Sequence, residues 1–562
     1  MKYLIPMGNL VNRKDAIYLL RKAADAKAQE AQLHFCHTIP LRTPARLKQY
    51  HDALLFVCVH PFSIVAHEKA VAGLLRLAVI LKKHRHNKKW QYALSGSGLP
   101  FSDIHCQFSA GILLWLLKKF PGRVSPSVSE ADETVLKEIL LAVLPGVEFY
   151  AGSNGRHSTW KRVKEVSGLY HSAAALAWLL QHFQQQQWNG LLHDHLFDSL
   201  KIFVKWQLRD DRYCRSFLQW PVQKIILRKP ATGKLNARQI ISKKPVAEII
   251  LSISQKEELL SVVRASLAFV LRETDPVTHA SVNETRLFDM GNGLQIVLTG
   301  MHPERRLAIE SYIGFMAFRN GVPVSYGGGW IFGYRCKIGI NIYEPFRGGG
   351  SDRLFCEIMR LYHQRFDVKK FVVAPYQFGK GNAEGIRSGA YWFYYKLGFR
   401  SADKLIASLA TEEWTRIAAD RNYRSPVQLL RQFISCNLEW KVQESAVPFI
   451  DADKVSKGVT DMINQQFDGD RQKALAVCER HLKKSTGQPI NKKRVAEKRV
   501  WQNWSLIFYC LPGTEKWTAA QRRQFAALIS VKATGDEKMH IEALQQHKGF
   551  WEAATKVFGD YR

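Results

Sequence analysis

Acidic residues are scarce in this sequence beside basic ones: 49 aspartates and glutamates face 81 lysines and arginines in 562 residues, a formal net charge of +32. A field of that sign excludes a generally acidic surface and attracts polyanions, from phosphorylated small molecules to nucleic acid. Closely spaced thiols are also missing. The nine cysteines are scattered from Cys36 to Cys510, their number is odd, and no CxxC pair occurs. A disulfide framework and a thiolate zinc site are therefore not expected, and a reducing, cytoplasmic setting is. No apolar run is long enough to span a bilayer, which takes about 20 residues. The most apolar stretch, 53–81, is broken by His60, Pro61, His67, Glu68, Lys69 and Arg76. The first residues, MKYLIPMGNLVNRK, carry Pro6 and Asn9 where a signal peptide needs an unbroken apolar segment. No membrane partner is expected. The GxSxG, HExxH and GxxxxGK[ST] signatures are absent, and there is no fixed-period repeat.

The 46% hydrophobic and 23% charged residues are an ordinary globular balance, and the length predicts two to four domains. Up to about residue 250 the periodicity is helical, as in Leu74, Leu75, Leu77, Ala78 and Leu81, or Ile112, Leu113, Leu116 and Leu117. Stretches 94–103, 120–130 and 151–158 are rich in Ser, Gly and Pro and are expected to be connections. Basic residues cluster beside aromatics: Lys82, Lys83, Arg85, Lys88 and Lys89 before Trp90; Lys161, Arg162 and Lys164 after Trp160; Lys492, Lys493, Arg494, Lys498 and Arg499 before Trp501 and Trp504. Cations interleaved with rings suit a phosphate backbone with stacked bases, so tRNA or another nucleic acid is a candidate partner. The competing account is that each cluster is a solvated helix end or loop. His193-Asp194-His195 invites a metal reading, but neighbouring side chains on a helix diverge and no third ligand is evident, so no metal is expected.

From about 290 the pattern turns to strands. GLQIVLTG, SYIGFMAFRNG, VPVSYGGGWIFG and KIGINIYEPF are β-rich and punctuated by Gly and Asn. The last runs into Arg347-Gly348-Gly349-Gly350-Ser351, after which Leu354, Phe355, Ile358, Met359 and Tyr362 line one face of a helix. Glycines allow a tight turn, and the free N–H groups of a new helix favour a phosphate there. A strand near 370–374 and an aromatic helix from about 383 follow, the helix closing as SGAYWFYYKLGFR at 388–400 with Gly398 as its terminating glycine.

These two segments, in this order, resemble the core of a GNAT-type N-acyltransferase. Arg347 and Gly350 match the family's phosphate turn, and Tyr394, Lys396, Gly398 and Phe399 match its closing Tyr-x-Lys-x-Gly-Phe. The resemblance covers residues 290–402, less than a third of the chain. It implies that acyl-CoA, acetyl-CoA in the simplest case, lies against a splayed and bulged strand. Arg347, Gly348, Gly349, Gly350 and Ser351 would hold its pyrophosphate. A strand N–H would polarise the thioester carbonyl, and Tyr394 would protonate the departing thiolate. A carboxylate would take the proton of the acceptor amine. Glu344, at the strand's end, is the candidate for that base, with Glu310 as a second. Two positions depart from the pattern. Asp352 stands where the signature ends in Gly or Ala. Arg387 stands where the family has an Asn that touches pantetheine, which leaves Asn382 as the substitute.

The fold expected is therefore α+β: a helical N-terminal region over 1–250, with a break near 150, a GNAT-like mixed sheet with helices over 251–410, and a helical basic region over 411–562. The function expected is transfer of an acyl group to an amine of a macromolecular or anionic acceptor. An aminoacyl-tRNA-dependent transferase with the same core and a non-catalytic nucleic-acid-binding scaffold are the alternatives.

Overall fold

The computed structural model describes residues 20, 23–38, 40–127, 131–148, 158–186, 190–229, 235–348, 350–420, 422–487 and 495–559. Gly349, Lys492, Lys493 and Arg494 lie outside the described residues, as does most of the predicted connection 151–158.

After a first helix, Ala26–Thr38, come α1 (Pro44–Val59) and α2 (Ile64–Lys83). Thr43 and Ser63 cap them by accepting N–H groups of the first turn. A small antiparallel sheet follows, β1 (Asp103–Gln107), β2 (Val124–Ser127) and β3 (Phe203–Gln207), in the order β1-β3-β2. These strands replace part of the connections predicted at 94–103 and 120–130. Each has only four or five residues, and their pairing joins segments about a hundred residues apart, a link that local periodicity does not reveal.

The large sheet has nine strands in the order β11-β12-β10-β9-β8-β7-β6-β5-β4. β4 (Ala247–Ile249) is its edge. After α3 (Ile253–Ala268) come β5 (Arg286–Gly291), β6 (Leu294–Thr299), β7 (Ser311–Arg319), β8 (Val322–Phe332) and β9 (Arg335–Ile342). All of these pair antiparallel. α4 (Ser351–Phe366) then crosses to β10 (Lys370–Val373), which runs parallel to β9. The expected aromatic helix is two pieces, α5 (Ala383–Arg387) and α6 (Ala390–Lys396), because Gly389 takes a left-handed φ of 63° between them. β11 (Arg400–Ser401) and β12 (Leu438–Lys441) complete the sheet, with β12 inserted between β11 and β10. β12 lies in a stretch whose sequence reads as helical. Beyond it the described chain is helical, including α7 (Val495–Cys510), α8 (Ala519–Thr534) and α9 (Glu537–Gln546).

The period of two along the strands sorts the cores. Ile296, Ile313, Phe315 and Ile338 share one core with Leu54, Phe56 and Leu74 of α1 and α2 and with Phe355 and Tyr362 of α4. Their neighbours Val297, Met316 and Phe318 enter a second core with α3 and the small sheet, including Leu259, Val263 and Trp206. A third core gathers Trp504, Phe508, Phe525 and Phe550 of the C-terminal helices around Phe332. The glycine run inside β8 is a packing device. A Cβ on Gly329 would lie 2.6 Å from the Tyr362 ring and the Cys336 sulfur, so only glycine lets α4 sit down on the sheet. Among the described residues, no helix is long and apolar enough to cross a membrane.

Candidate functional site

β9 and β10 pair only from Lys370↔Arg335 to Val372↔Lys337. Beyond that point β9 continues to Ile342, whereas β10 ends at Val373 and the chain turns through the short helix Pro375–Phe378. A gap opens between two parallel strands, at the carboxyl end of both, where open α/β sheets receive ligands. The edge of β9 in this gap is held by side chains. Gln377 Oε1 accepts from the Ile340 N–H at 3.4 Å, and Arg347 Nε donates to the Ile342 carbonyl at 3.2 Å. Gln377 Oε1 also receives the Tyr394 hydroxyl at 3.4 Å. Tyr394 is 3% exposed and packed edge-on against Phe355 and Phe399. Burial pushes its phenol above the usual range, so it stays protonated and able to donate at neutral pH.

The resemblance implied a bulge in this strand. The β8–β9 ladder instead runs unbroken from Ser325↔Ile342 to Phe332↔Arg335, and the register shift in this part of the sheet lies in the β7–β8 ladder at Ala317/Phe318. The N–H available to a ligand in the gap is that of a regular strand edge.

The turn after β9 forms as its glycines dictate. Gly348 and Gly350 have φ of 79° and 87°, and a Cβ on either would meet open space. Gly350 precedes α4 with no side-chain cap, so the first N–H groups of this 16-residue helix have no partner within the helix. Ser351 Oγ accepts the Gly348 N–H at 3.3 Å and closes the turn. Arg347 also forms an ion pair with Glu384 of α5. Asp352, the residue at odds with a phosphate site, is drawn aside. It accepts the Arg353 N–H at 2.8 Å and pairs with Lys396 Nζ at 3.1 Å. The lysine of the second motif thus offsets the acid of the first, and the two motifs meet here.

The other predicted residues fall as follows. Asn382 caps α5, accepting the Gly385 N–H at 3.2 Å and donating to the Tyr376 carbonyl at 3.1 Å, so its amide is engaged locally. Glu344 is exposed in the short turn that carries β9 toward the glycines. Glu310 precedes β7, whose first residue Ser311 pairs with Ile331 at the end of the sheet away from the Gly turn. Burial raises its carboxyl pKa against the pull of Lys337 and Arg335. Gln377 was missed by sequence reasoning, although it lies in the loop that supplied Asn382. An uncharged residue in a loop carries no pattern until the strands are paired.

Beside the turn, on the side of β5–β7, a solvent-open cleft is lined by Gly350, Ser351, Arg353, Arg319, Asn292 and Glu357, among others.

The basic clusters divide. Lys82, Lys83, Arg85, Lys88 and Lys89 are all exposed, and none is in an ion pair with a described residue. Trp90 stacks on His84 with ring centres 3.8 Å apart, and Tyr92 is 89% exposed. In the C-terminal cluster Lys492, Lys493 and Arg494 lie outside the described residues, and most of its described members are committed to the fold. Trp501 and Trp504 are core residues, and Arg499 is half-buried, donating to the Pro303 and Arg306 carbonyls at 3.0 Å; of the described residues there, Lys498 alone keeps an exposed charge. Trp160 and Arg162 are likewise buried. Asp194 belongs to a structural network. Burial works against its charge, yet bonds from His193, His279 and Arg305 hold its carboxyl well below the usual range. Among the described residues, no group of three His, Cys, Asp or Glu is placed to hold a metal.

Compared with known proteins, the chain matches no family model, no curated protein and no solved structure.

Proposed function

We propose that the chain transfers an acyl group, acetyl in the simplest case, from an acyl-CoA donor to an amine on a large or anionic acceptor. The observation that carries this reading is the gap between β9 and β10. A strand edge, an uncapped helix start and a buried tyrosine converge on it, and both sequence motifs end there. The pantetheine arm would take the place of the Gln377 amide along β9 and accept the Ile340 N–H. Its pyrophosphate would lie on Gly348, Gly350 and Ser351. The amine nitrogen attacks the thioester carbonyl, and the C–N bond forms as the C–S bond breaks. Tyr394 gives its proton to the leaving thiolate, and Glu344 takes the proton from the amine. The measurement that tests the reading is calorimetric titration with acetyl-CoA of wild type and Gly350→Glu, each shown to be folded by thermal unfolding. Saturable binding by the wild type, weakened by at least about tenfold in the variant, supports it. Folded wild type that does not bind acetyl-CoA overturns it.

A second reading, an aminoacyl-tRNA donor on the same core, is favoured by one observation: the unpaired cations of 82–89 beside the exposed Tyr92. Co-purifying tRNA that ribonuclease removes would support it. Protein free of nucleic acid at moderate salt would count against it.

A further inference from the structure

Among the described residues, α2 carries five exposed large apolar side chains, Ile64, Val65, Val71, Leu75 and Val79, more than any other helix. Its opposite face, with Leu74, Leu77 and Leu81, is already spent on the core. Lone apolar residues on a surface are ordinary, but these fall in line. Residues three and four apart are neighbours on a helix, so Glu68, Val71, Leu75, Val79 and Lys82 form one stripe along α2. All five are exposed, Leu75 at 56% and Val79 at 57%. The spacing is the same from either end. Val71 and Val79 stand four residues to either side of Leu75, and Glu68 and Lys82 stand seven. Neither Glu68 nor Lys82 is in an ion pair with a described residue.

A stripe with this symmetry is complementary to itself. Two copies of α2, antiparallel about a two-fold axis beside Leu75, set Leu75 on its own counterpart, Val71 against Val79, and Glu68 against Lys82, the last two twice over. The opposite charges would fix direction and register, as flanking charge pairs do in coiled coils. An anionic membrane or an acidic partner helix would answer Lys82 but meet Glu68 with like charge. A second copy answers both. From this geometry we infer that the exposed face of α2 is the interface of a homodimer, closed by the Glu68–Lys82 pairs around Leu75. The inference goes beyond the transferase reading and uses none of its residues. α2 has 20 residues and is about 30 Å long. One helix face of that length is small beside the roughly 1,200 Å² of a standard interface, so the dimer is expected to be of micromolar affinity.

The test is sedimentation of the full chain from about 1 to about 100 µM, at roughly 0.15 M salt so that repulsion between two basic chains is screened. Wild type should pass from monomer to dimer over that range. Leu75→Glu, which would set two carboxylates on the axis, should stay monomeric. Leu75 is more than half exposed, so this variant should keep the wild-type thermal unfolding midpoint. Glu68→Lys and Lys82→Glu should each weaken the dimer by about fivefold or more, because each puts two like-charged pairs into the seam. The double exchange should restore the affinity to within about twofold of wild type. These three exchanges keep the test open if Leu75→Glu unfolds. Folded wild type that stays monomeric throughout overturns the inference. So does a dimer that Leu75→Glu leaves intact, or one that the double exchange fails to restore. Monomeric wild type that binds phosphatidylglycerol vesicles, with binding lost in Leu75→Glu, would overturn it and give the face to a membrane.

Discussion

The N-terminal and C-terminal flanks join the same sheet in different ways. α1 and α2 share one continuous apolar core with the sheet and α4. The C-terminal helices pack a core around Trp504 and Phe550 that takes in Phe332 of β8, send Ile541 of α9 into the first core, and add buried charge at the joint. Lys532 is fully buried; it donates to the Glu310 carbonyl at 3.1 Å and pairs with Glu537 at 3.0 Å. Glu537 also receives the Ser311 hydroxyl at 2.6 Å, and Arg306 links the Lys532 carbonyl to Glu284. An apolar joint adds stability in proportion to area and tolerates small shifts. A charged joint is fixed in register, since every member must find its partner. The flanks also use their aromatic residues differently. Beside Lys88 and Lys89 the rings of Trp90 and Tyr92 stay near solvent, although Trp160 in the next cluster is buried. On the C-terminal side Trp501, Trp504 and Phe508 recur at helical spacing and form the buried face of α7. A basic-aromatic run is therefore uninformative until the phase of its rings is known.

The largest expected effect breaks that second use. Trp504 is 0% exposed, and its indole N–H donates to the Ala308 carbonyl at 3.1 Å, tying α7 to the segment before β7. Trp504→Ala should cost about 3–5 kcal/mol in urea unfolding, from reduced burial and the cavity left behind. The same change at Trp90, half-buried and stacked on His84, should cost roughly 1 kcal/mol or less. Equal costs would show that the two clusters are alike after all.

The charged joint titrates where the apolar one cannot. Burial pushes Glu284 up to about 7, despite Arg306 at 2.7 Å and with Glu537 and Asp536 adding like charge. Its folded pKa lies above the unfolded value near 4.5, so its contribution to stability is complete below that value and is lost as the pH rises through about 7. Between pH 5 and pH 8 the wild type should lose roughly 2 kcal/mol that Glu284→Gln does not lose. Comparing the two proteins isolates Glu284 from His540 and Lys532 nearby. Parallel pH profiles would place the joint's stability elsewhere.

How much of this was legible depended on the range of each signal. β6 to β9 were readable because β-rich runs of six to eleven residues lie between Gly and Asn breaks. The glycine turn and the Tyr394 helix were readable because both are local. β12 was not, since four residues, LEWK, become a strand only by filling the space between β10 and β11. Asp352 looked hostile to phosphate because its partner Lys396 is 44 residues away. Gln377 carried no signal at all, because its meaning lies in the strand edge beside it.

The smallest effect on stability should come from the N-terminal cations, and it sharpens the comparison most. Lys82 and Lys83 sit in the last turn of α2, where the helix dipole accounts for some of their placement. Nothing comparable accounts for Arg85, Lys88 and Lys89. Lys88 and Lys89 open the next helix, whose positive end gains nothing from cations, and Asn87 already caps it. Replacing Arg85, Lys88 and Lys89 with Ser should therefore change stability by no more than about 0.5 kcal/mol. If this face binds nucleic acid, the plot of log affinity for single-stranded RNA against log salt should flatten by about two units, at about 0.7 for each phosphate that these cations neutralise. Lys498→Ser should leave that slope within about 0.7 of wild type, the share of a single phosphate, because Arg499, Trp501 and Trp504 beside it are committed to the fold. Unchanged slopes in both variants would reduce the N-terminal cluster to a solvated connection, and the flanks would then differ only in how they are joined.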